Sequence, residues 1–473
     1  MTTTVPKFLQ LDHGATEPLY RQIYTRFRAA IANGMLRPGA RVPSARALAL
    51  DLGLARGTVE AAYSLLGAEG YLQTRGQAGT VVTPALMRHA PVALPARPND
   101  AAADLRGSPT AFHKPFQMGL PALDAFPRKV WAALAARAIR ATQAADMAYP
   151  PYFGTPALRT AIATYLQLSR GIDCAPSQVF VTSGYRNSLE LATRALLRPG
   201  DQVWIEDPGY APTGELLAQA GMCPAPVPVD DEGLQVAHGV ASAPGARAAV
   251  VTPAHQSPLC VSLSLTRRLA LLDWAAQSDA WIVEDDYDGE YRYVGRPLPA
   301  LKSLDRVGRV LYAGTFSKVL FPAIRLAYLV VPPAQVERFE AICETFAAGG
   351  PALTQDIVAS FMNEGHFARH IQRMRRLYGE RREMVAAELA KVLGKHLRID
   401  QQPGGMHLVL RMPGRHTDRA LAARLRRDGM FALALSECSA LPHASSALLL
   451  SFTNIETPRR ARELALRIMA QLS

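Results

Sequence analysis

Between Gln178 and Val331 the chain alternates between two periods. Short apolar runs (QVFVTS, DQVWIED, AAVVTP, AWIVEDD, RVLYAGT and LAYLVV) are separated by longer stretches with helical spacing. Such runs predict strands buried on both faces, and strands that alternate with helices predict an α/β fold with a mostly parallel sheet. The N-terminal stretch differs. In PLYRQIYTRFRAAIANGM, Leu19, Ile23, Phe27 and Ile31 recur every four residues, and Asn33-Gly34 and Pro38-Gly39 end the run, so an amphipathic helix is expected over Pro18 to Met35. PSARALALDLGLARGTVEAAYSLLGAEGYL then predicts a short helix capped by Ser44, a turn at Gly53 and a second helix from Arg56 to Glu69. YLQTRGQAGTVVT reads as two short strands around Gly76 and Gly79. Two short helices joined by a glycine turn suit a helix-turn-helix, and the strand pair adds a wing. Residues 85–115 are rich in Pro and Ala and show no period, which marks a linker. The expected domains are therefore residues 1–84, a linker over 85–115, and residues 116–473.

Composition sharpens this division. A length of 473 residues allows about three units at roughly 150 residues each, and 49% hydrophobic content is ample for large cores. The formal net charge of +12 raises the expectation of a polyanionic partner, and residues 1–84 carry nine Lys or Arg against five Asp or Glu. Five scattered cysteines without a CxxC pair suggest neither a metal site nor a redox couple, and fit a reduced cytosol. No apolar run approaches the roughly 18 residues that span a bilayer, so neither membrane insertion nor secretion is expected, and the chain is read as cytoplasmic.

In a helix-turn-helix the second helix enters the major groove of double-stranded DNA by its N-terminus, which puts Arg56, Gly57 and Thr58 at base edges or phosphates. Arg46 on the preceding helix is placed to reach the backbone, and Arg75 and Gln77 at the wing tip suit the minor groove.

The candidate chemistry of the long domain centres on GTFSKVLFPAIR. A buried lysine can bond the carbon of an aldehyde, and pyridoxal 5′-phosphate (PLP) is the commonest protein-bound aldehyde, so Lys318 is its candidate anchor. Other strand ends supply groups that match the rest of PLP. Thr315, Ser317, Arg325 and the strand-to-helix turn Ser183-Gly184-Tyr185 offer hydroxyls, a cation and helix N-terminal N–H groups for the phosphate. Asp285 suits the pyridine nitrogen, and Tyr287, two residues on and on the same face, suits the 3-hydroxyl. Tyr210 in EDPGY offers a flat partner for the ring. His255 and Gln256 in TPAHQSPLC are further candidates for the 3-hydroxyl.

VPSARALALDLGLARGTVEAAYSLLGAEGYLQTRGQAGTVV resembles the winged helix of GntR-type bacterial repressors. From Phe116 onward, YFGTPALRTAIATYL, VTSGYRNSLELATRALLRPGDQVWIEDPGY, EDDYDGEYRY and GTFSKVLFPAIRLAYLV resemble the fold type I aminotransferases. Together they look like the MocR subfamily of GntR-type regulators. The resemblance implies that Lys318 binds PLP, Asp285 pairs with its nitrogen, Tyr287 donates to its 3-hydroxyl and Tyr210 stacks on its ring. It also implies that Arg325, Thr315, Ser183, Gly184 and Tyr185 form the phosphate cradle. Tyr149 matches a tyrosine that reaches the phosphate of a neighbouring subunit, which implies a homodimer. The chain departs from the aminotransferase pattern twice: Tyr185-Arg186 stand where small or amide residues are usual, and SALLLSFTNIE lacks the arginine that binds a substrate α-carboxylate. The expected function is a PLP-dependent, DNA-binding transcriptional regulator that senses a small-molecule effector. The alternatives are a working aminotransferase with an appended DNA-binding module, and a scaffold that has lost PLP.

Overall fold

The computed structural model describes residues 8–15, 17–76, 79–84, 114–293, 299–346, 349–400, 404–413, 417–441 and 446–472. The chain divides into two compact units between Gly107 and Ser108. The expected linker falls almost wholly outside the described residues, as does Gln77.

In the N-terminal unit, helices α1 (Leu19–Ala32), α2 (Ala45–Leu52) and α3 (Arg56–Ala68) are followed by strands β1 (Leu72–Thr74) and β2 (Thr80–Val82), which pair antiparallel. The Ser44 hydroxyl caps α2 by accepting from the Ala47 N–H at 3.2 Å, and Gly53 ends it in the left-handed region at φ 66°, where a side chain is disfavoured. The apolar stripe of α1 is shifted slightly from the expected one. Ile23, Phe27 and Ala30 are buried, while Leu19 and Ile31 are half-buried. Ile23 and Phe27 pack on Leu48 of α2, Val59, Ala62 and Leu66 of α3, and Val82 of the wing.

The second unit is built on an eight-stranded sheet. Its strands are β3 (Val179–Thr182), β4 (Gln202–Asp207), β5 (Cys223–Asp230), β6 (Gly233–Leu234), β7 (Ala248–Val251), β8 (Trp281–Asp286), β9 (Val310–Thr315) and β10 (Ala327–Val330), in the order β3-β10-β9-β8-β7-β4-β5-β6. All six apolar runs picked from the sequence are strands. The core run β5-β4-β7-β8-β9 is parallel, and β10 runs antiparallel to both β9 and β3. The ends of β3, β4, β7, β8 and β9 and the start of β10 therefore share one edge of the sheet. Helices α4 (Arg128–Ala141), α5 (Pro156–Arg170) and α6 (Tyr185–Leu196) lie along this part of the chain.

β5 does not look like a strand in sequence, because CPAPVPVD carries prolines at 224, 226 and 228. Backbone N–H groups alternate sides along a strand, so prolines two apart remove donors from one side only. The other side stays intact to pair with β4, and only Val229 and Asp230 pair with β6 on the depleted side.

A second sheet, in the order β11-β12-β14-β13, consists of β11 (Arg398–Ile399), β12 (His407–Arg411), β13 (Leu433–Ala434) and β14 (Ala447–Ser451). The helices His366–Leu393 and Pro458–Leu472 pack beside it in one apolar cluster. The end of β8 is fixed by a buried ion network. The Arg170 guanidinium lies 2.7 Å from Asp286 and 3.1 Å from Glu290, and the Tyr312 hydroxyl donates to Asp286 at 2.6 Å. Removing one partner from such a buried network leaves uncompensated charge and costs about 3–5 kcal/mol.

Candidate functional site

The shared sheet edge gathers the candidate residues of the large unit, as expected for a parallel sheet whose strand ends face a crevice. Lys318 lies in the turn after β9, and its Nζ donates to the Gly119 carbonyl at 2.9 Å. Gly119 sits at φ +70°, and a side chain there would overlap the lysine amine, so only glycine allows this approach. Burial holds the Lys318 amine below the usual lysine range, opposed by the charges of Asp288 and Asp285. Its proton is therefore more easily lost than that of a surface lysine.

Asp285 is the penultimate residue of β8 and has a buried side chain, and among the described residues it has neither hydrogen-bond nor ion-pair partner. Burial first, then Asp286 and Glu206, raises its carboxyl well above the usual range, with Lys318 opposing. It lines a cleft of about 220 Å³ with Tyr185, Glu206, Tyr210, Thr213 and Thr252. The far wall is residues 437–440, tied to the end of β4 by Ser439 and Ala440 donating to Asp207 at 2.7 and 2.6 Å. Glu206 is pushed up to about 7 by burial, partly offset by hydrogen bonds from Thr252 and Gln256. Lys318 and Tyr287 lie outside the lining of this cleft.

At the other end of the site, Arg325 precedes β10 in the left-handed region at φ 49°. Its guanidinium lies against Gly184, and no carboxylate pairs with it among the described residues. Gly184 is the N-cap of α6 at φ 138°, without a side-chain cap, while the Ser183 N–H is taken by Asn187 at 3.1 Å. The Thr315 hydroxyl accepts from the Ser317 N–H at 3.1 Å. A cation without a partner beside an uncapped helix start is suited to an anion.

Two candidate positions, Tyr185 and Gln256, behave differently from their sequence reading. The Tyr185 hydroxyl is hydrogen-bonded to Thr213 at 2.7 Å, so its ring walls the cleft beside Tyr210, at 5.9 Å between ring centres. What Tyr185 still offers an anion is its position at the helix start. Gln256 is turned inside the protein: its amide donates to Glu206 and to the Pro208 and Ser257 carbonyls and accepts from Leu259, which leaves it no N–H for a ligand. Tyr149 is 94% exposed. His255, by contrast, is hydrogen-bonded to Tyr287 at 3.2 Å and to Asp288 at 3.1 Å. Gly119, Asp288 and Glu206 escaped the sequence reading. Asp288 stands in the acidic run EDDYD, which hinted at it, whereas nothing in the sequence links Gly119 to a lysine 199 positions away.

In the N-terminal unit, Arg46, Arg56, Gly57 and Arg75 are exposed and Thr58 is half-buried. The start of α3 has no side-chain cap, and since the Thr58 N–H donates to the Ala55 carbonyl at 3.0 Å, it is the N–H groups of Arg56 and Gly57 that are placed for phosphate. Arg56 is paired with Glu60 at 2.7 Å, a partner that DNA would have to displace. Arg41, missed in the sequence, lies against Gly79 of the wing and lines a cleft of about 450 Å³ with Glu60, Tyr63 and Thr80.

This architecture defines a winged-helix protein carrying an aminotransferase-like domain, and comparison with known proteins agrees. The family of bacterial regulatory proteins of the gntR type matches residues 19–82, and aminotransferase class I and II matches residues 121–462. The probable rhizopine catabolism regulatory protein MocR of Rhizobium meliloti is 38% identical over 432 residues, covering 89% of this chain and 87% of that one. The HTH-type pyridoxine biosynthesis transcriptional regulator PdxR of Corynebacterium glutamicum is 35% identical over 392 residues, covering 82% of each. The crystal structure of an archaeal alanine:glyoxylate aminotransferase superposes with a TM-score of 0.69 at 25% identity, over 76% of this chain and 90% of that one. The chain belongs to the MocR subfamily of GntR-type transcriptional regulators, and its helix-turn-helix unit is a DNA-binding module. Among the described residues no helix is long and apolar enough to cross a membrane.

Proposed function

We propose that this regulator holds PLP at Lys318 and uses the site as a sensor that alters DNA binding by the winged helix. The observation that carries the reading is Asp285, a buried carboxyl group near the end of β8 with no partner among the described residues. Leaving it ionised there is costly unless a cation meets it, and a protonated pyridine nitrogen is such a cation. In this reading Tyr287 and His255 address the ring oxygen and Tyr210 lies against the ring. Arg325, Thr315, Ser317, Ser183, Gly184 and the helix start at Tyr185 hold the phosphate. Bound PLP would supply an aldehyde that captures amines. The protein's part is to keep Lys318 readily deprotonated by burial, to exclude water and to orient the ring. The large exposed Tyr149 and Met147, at 94% and 79%, suit a homodimer in which Tyr149 reaches the phosphate site of a second copy.

The effector is PLP itself or an amine without an α-carboxylate. An α-carboxylate is best met by a bidentate guanidinium. β14, where the aminotransferase pattern places that arginine, offers only buried Ala447, Leu448, Leu449 and Leu450 before Ser451. Arg411 on the neighbouring strand is engaged with Asp400 at 2.7 Å. The naming of PdxR for pyridoxine biosynthesis supports the PLP alternative. Titrating the PLP-loaded chain with α-amino acids, ω-amino acids and amines, while following visible absorbance and operator binding, tests this. A response of both signals to an ordinary α-amino acid at micromolar concentration contradicts it. Steady turnover of an amino donor and a keto acid would instead make the chain a working aminotransferase.

A further inference from the structure

His255 follows β7 and Asp288 follows β8, and both are buried, Asp288 to 1% exposure. Nδ1 of His255 lies 3.1 Å from each carboxylate oxygen of Asp288 and 3.2 Å from the Tyr287 hydroxyl oxygen. A carboxylate only accepts hydrogen bonds, so the contact with Asp288 requires a hydrogen on Nδ1. Burial works against charge on His255, yet Asp288, then Cys260, raises it well above the ordinary histidine range, which also places a hydrogen there. The ring is held in place by Gly405, at φ +87°, where any side chain would overlap the imidazole.

The direction of the Tyr287 hydroxyl follows from this. Facing Nδ1–H, its oxygen can only accept from His255. With no lone pair on Nδ1 to accept it, the phenol must send its own hydrogen elsewhere. The charged or titratable groups around the two side chains are Asp285, Asp288 and Cys260, with His407 beyond at 6.3 Å between ring centres. The charge of Asp288 also acts on the amine of Lys318.

We propose that Asp288 is a positioning residue: through the Nδ1–H of His255 it turns the Tyr287 hydroxyl toward the bound ligand, where it donates to the ring oxygen. This rests on the reading of the site as one that holds PLP. Without Asp288 the imidazole is free to place its hydrogen on Nε2 and accept from Tyr287, which turns the phenol away from the ligand.

The test is a pH titration of the visible absorbance of the PLP-loaded full chain, with thermal stability measured separately. A hydrogen bond donated to an oxygen stabilises its anionic form, so losing the bond raises the pH midpoint. Asp288→Asn is expected to raise it by about one to two pH units, the size of a hydrogen bond to a charged group. Tyr287→Phe is expected to match it, the double variant to go no further, and Asp288→Glu to return most of the wild-type midpoint. Should Asp288→Asn not fold, His255→Ala carries the same expected rise. An unmoved midpoint in Asp288→Asn, or a lowered one as removal of a negative charge alone would give, overturns the proposal, as does full additivity with Tyr287→Phe. A wild-type chain that binds PLP without visible absorbance overturns the cofactor reading and this inference with it, whereas a coloured wild type with an unmoved Asp288→Asn overturns the inference alone.

Discussion

The two units hold their functional charges in opposite ways. In the winged helix, Arg46, Arg56 and Arg75 project into solvent, and the only ion pair on the recognition helix among the described residues is the exposed Arg56–Glu60. In the aminotransferase-like unit, Asp285, Asp288 and His255 are buried and Lys318 is half-buried, and burial displaces the proton affinities of Lys318 and Asp285. Exposed charges are screened and suit a long polyanion whose counterions are released on binding. Buried charges are costly to leave unmatched, and so specify the shape and charge of one small ligand. A chain built this way can read DNA through salt-sensitive contacts and read a ligand through salt-insensitive ones.

The sharpest way to break the comparison is at Lys318. Lys318→Ala removes the amine that would bond an aldehyde, so covalent retention of PLP through dialysis should be abolished while the winged helix stays folded. Retained cofactor colour in the dialysed variant would show that another group holds the ligand.

Next in size is the buried ion network. Arg170→Met leaves Asp286 and Glu290 buried without their cation and should destabilise the large unit by about 3–5 kcal/mol in denaturant unfolding. In the exposed unit, Glu60→Ala breaks an ion pair whose contribution is about 0–1 kcal/mol, so its unfolding midpoint should barely move. Similar losses in the two units would erase the distinction between them.

Smaller effects sharpen the DNA side. Arg56→Ala should cost about 1–3 kcal/mol of operator binding, concentrated at one base position if the guanidinium reads a base. Arg46→Ala should weaken all sequences alike and reduce the salt slope by about one, as loss of a phosphate contact does. Affinity measured across salt concentrations separates the two, and no change in either variant would remove this face from the interface.

Much of this was legible in the sequence because local rules governed it. Ser44, Gly53 and the four-residue stripe of α1 fix the helices of the winged unit through capping and amphipathicity. The six apolar runs became strands because nothing else buries such a run at that length. The sequence places Lys318, Asp285 and Tyr287 at the shared edge because each lies at or just after the end of an apolar strand run. What stayed hidden depends on contacts between distant parts of the chain. β5 is disguised by its prolines, Gly119 meets Lys318 from another part of the chain, and Gln256 looks like a ligand group until its amide is seen to be consumed by Glu206 and backbone carbonyls. Asp288 sat in plain view, but its pairing with His255 arises only when β7 and β8 lie side by side.

The central claim is that occupancy of the buried site governs DNA binding by the exposed one. It is tested most directly by measuring binding to the region upstream of the chain's own gene, at fixed salt, for wild type and Lys318→Ala with and without PLP. Coupling between two sites is typically about 5- to 150-fold in affinity. The account predicts a change in that range for wild type on loading PLP, or on exposing the loaded protein to an amine without an α-carboxylate, and none for Lys318→Ala. Equal operator affinity in wild type under all these conditions, or the same response in both proteins, would contradict it.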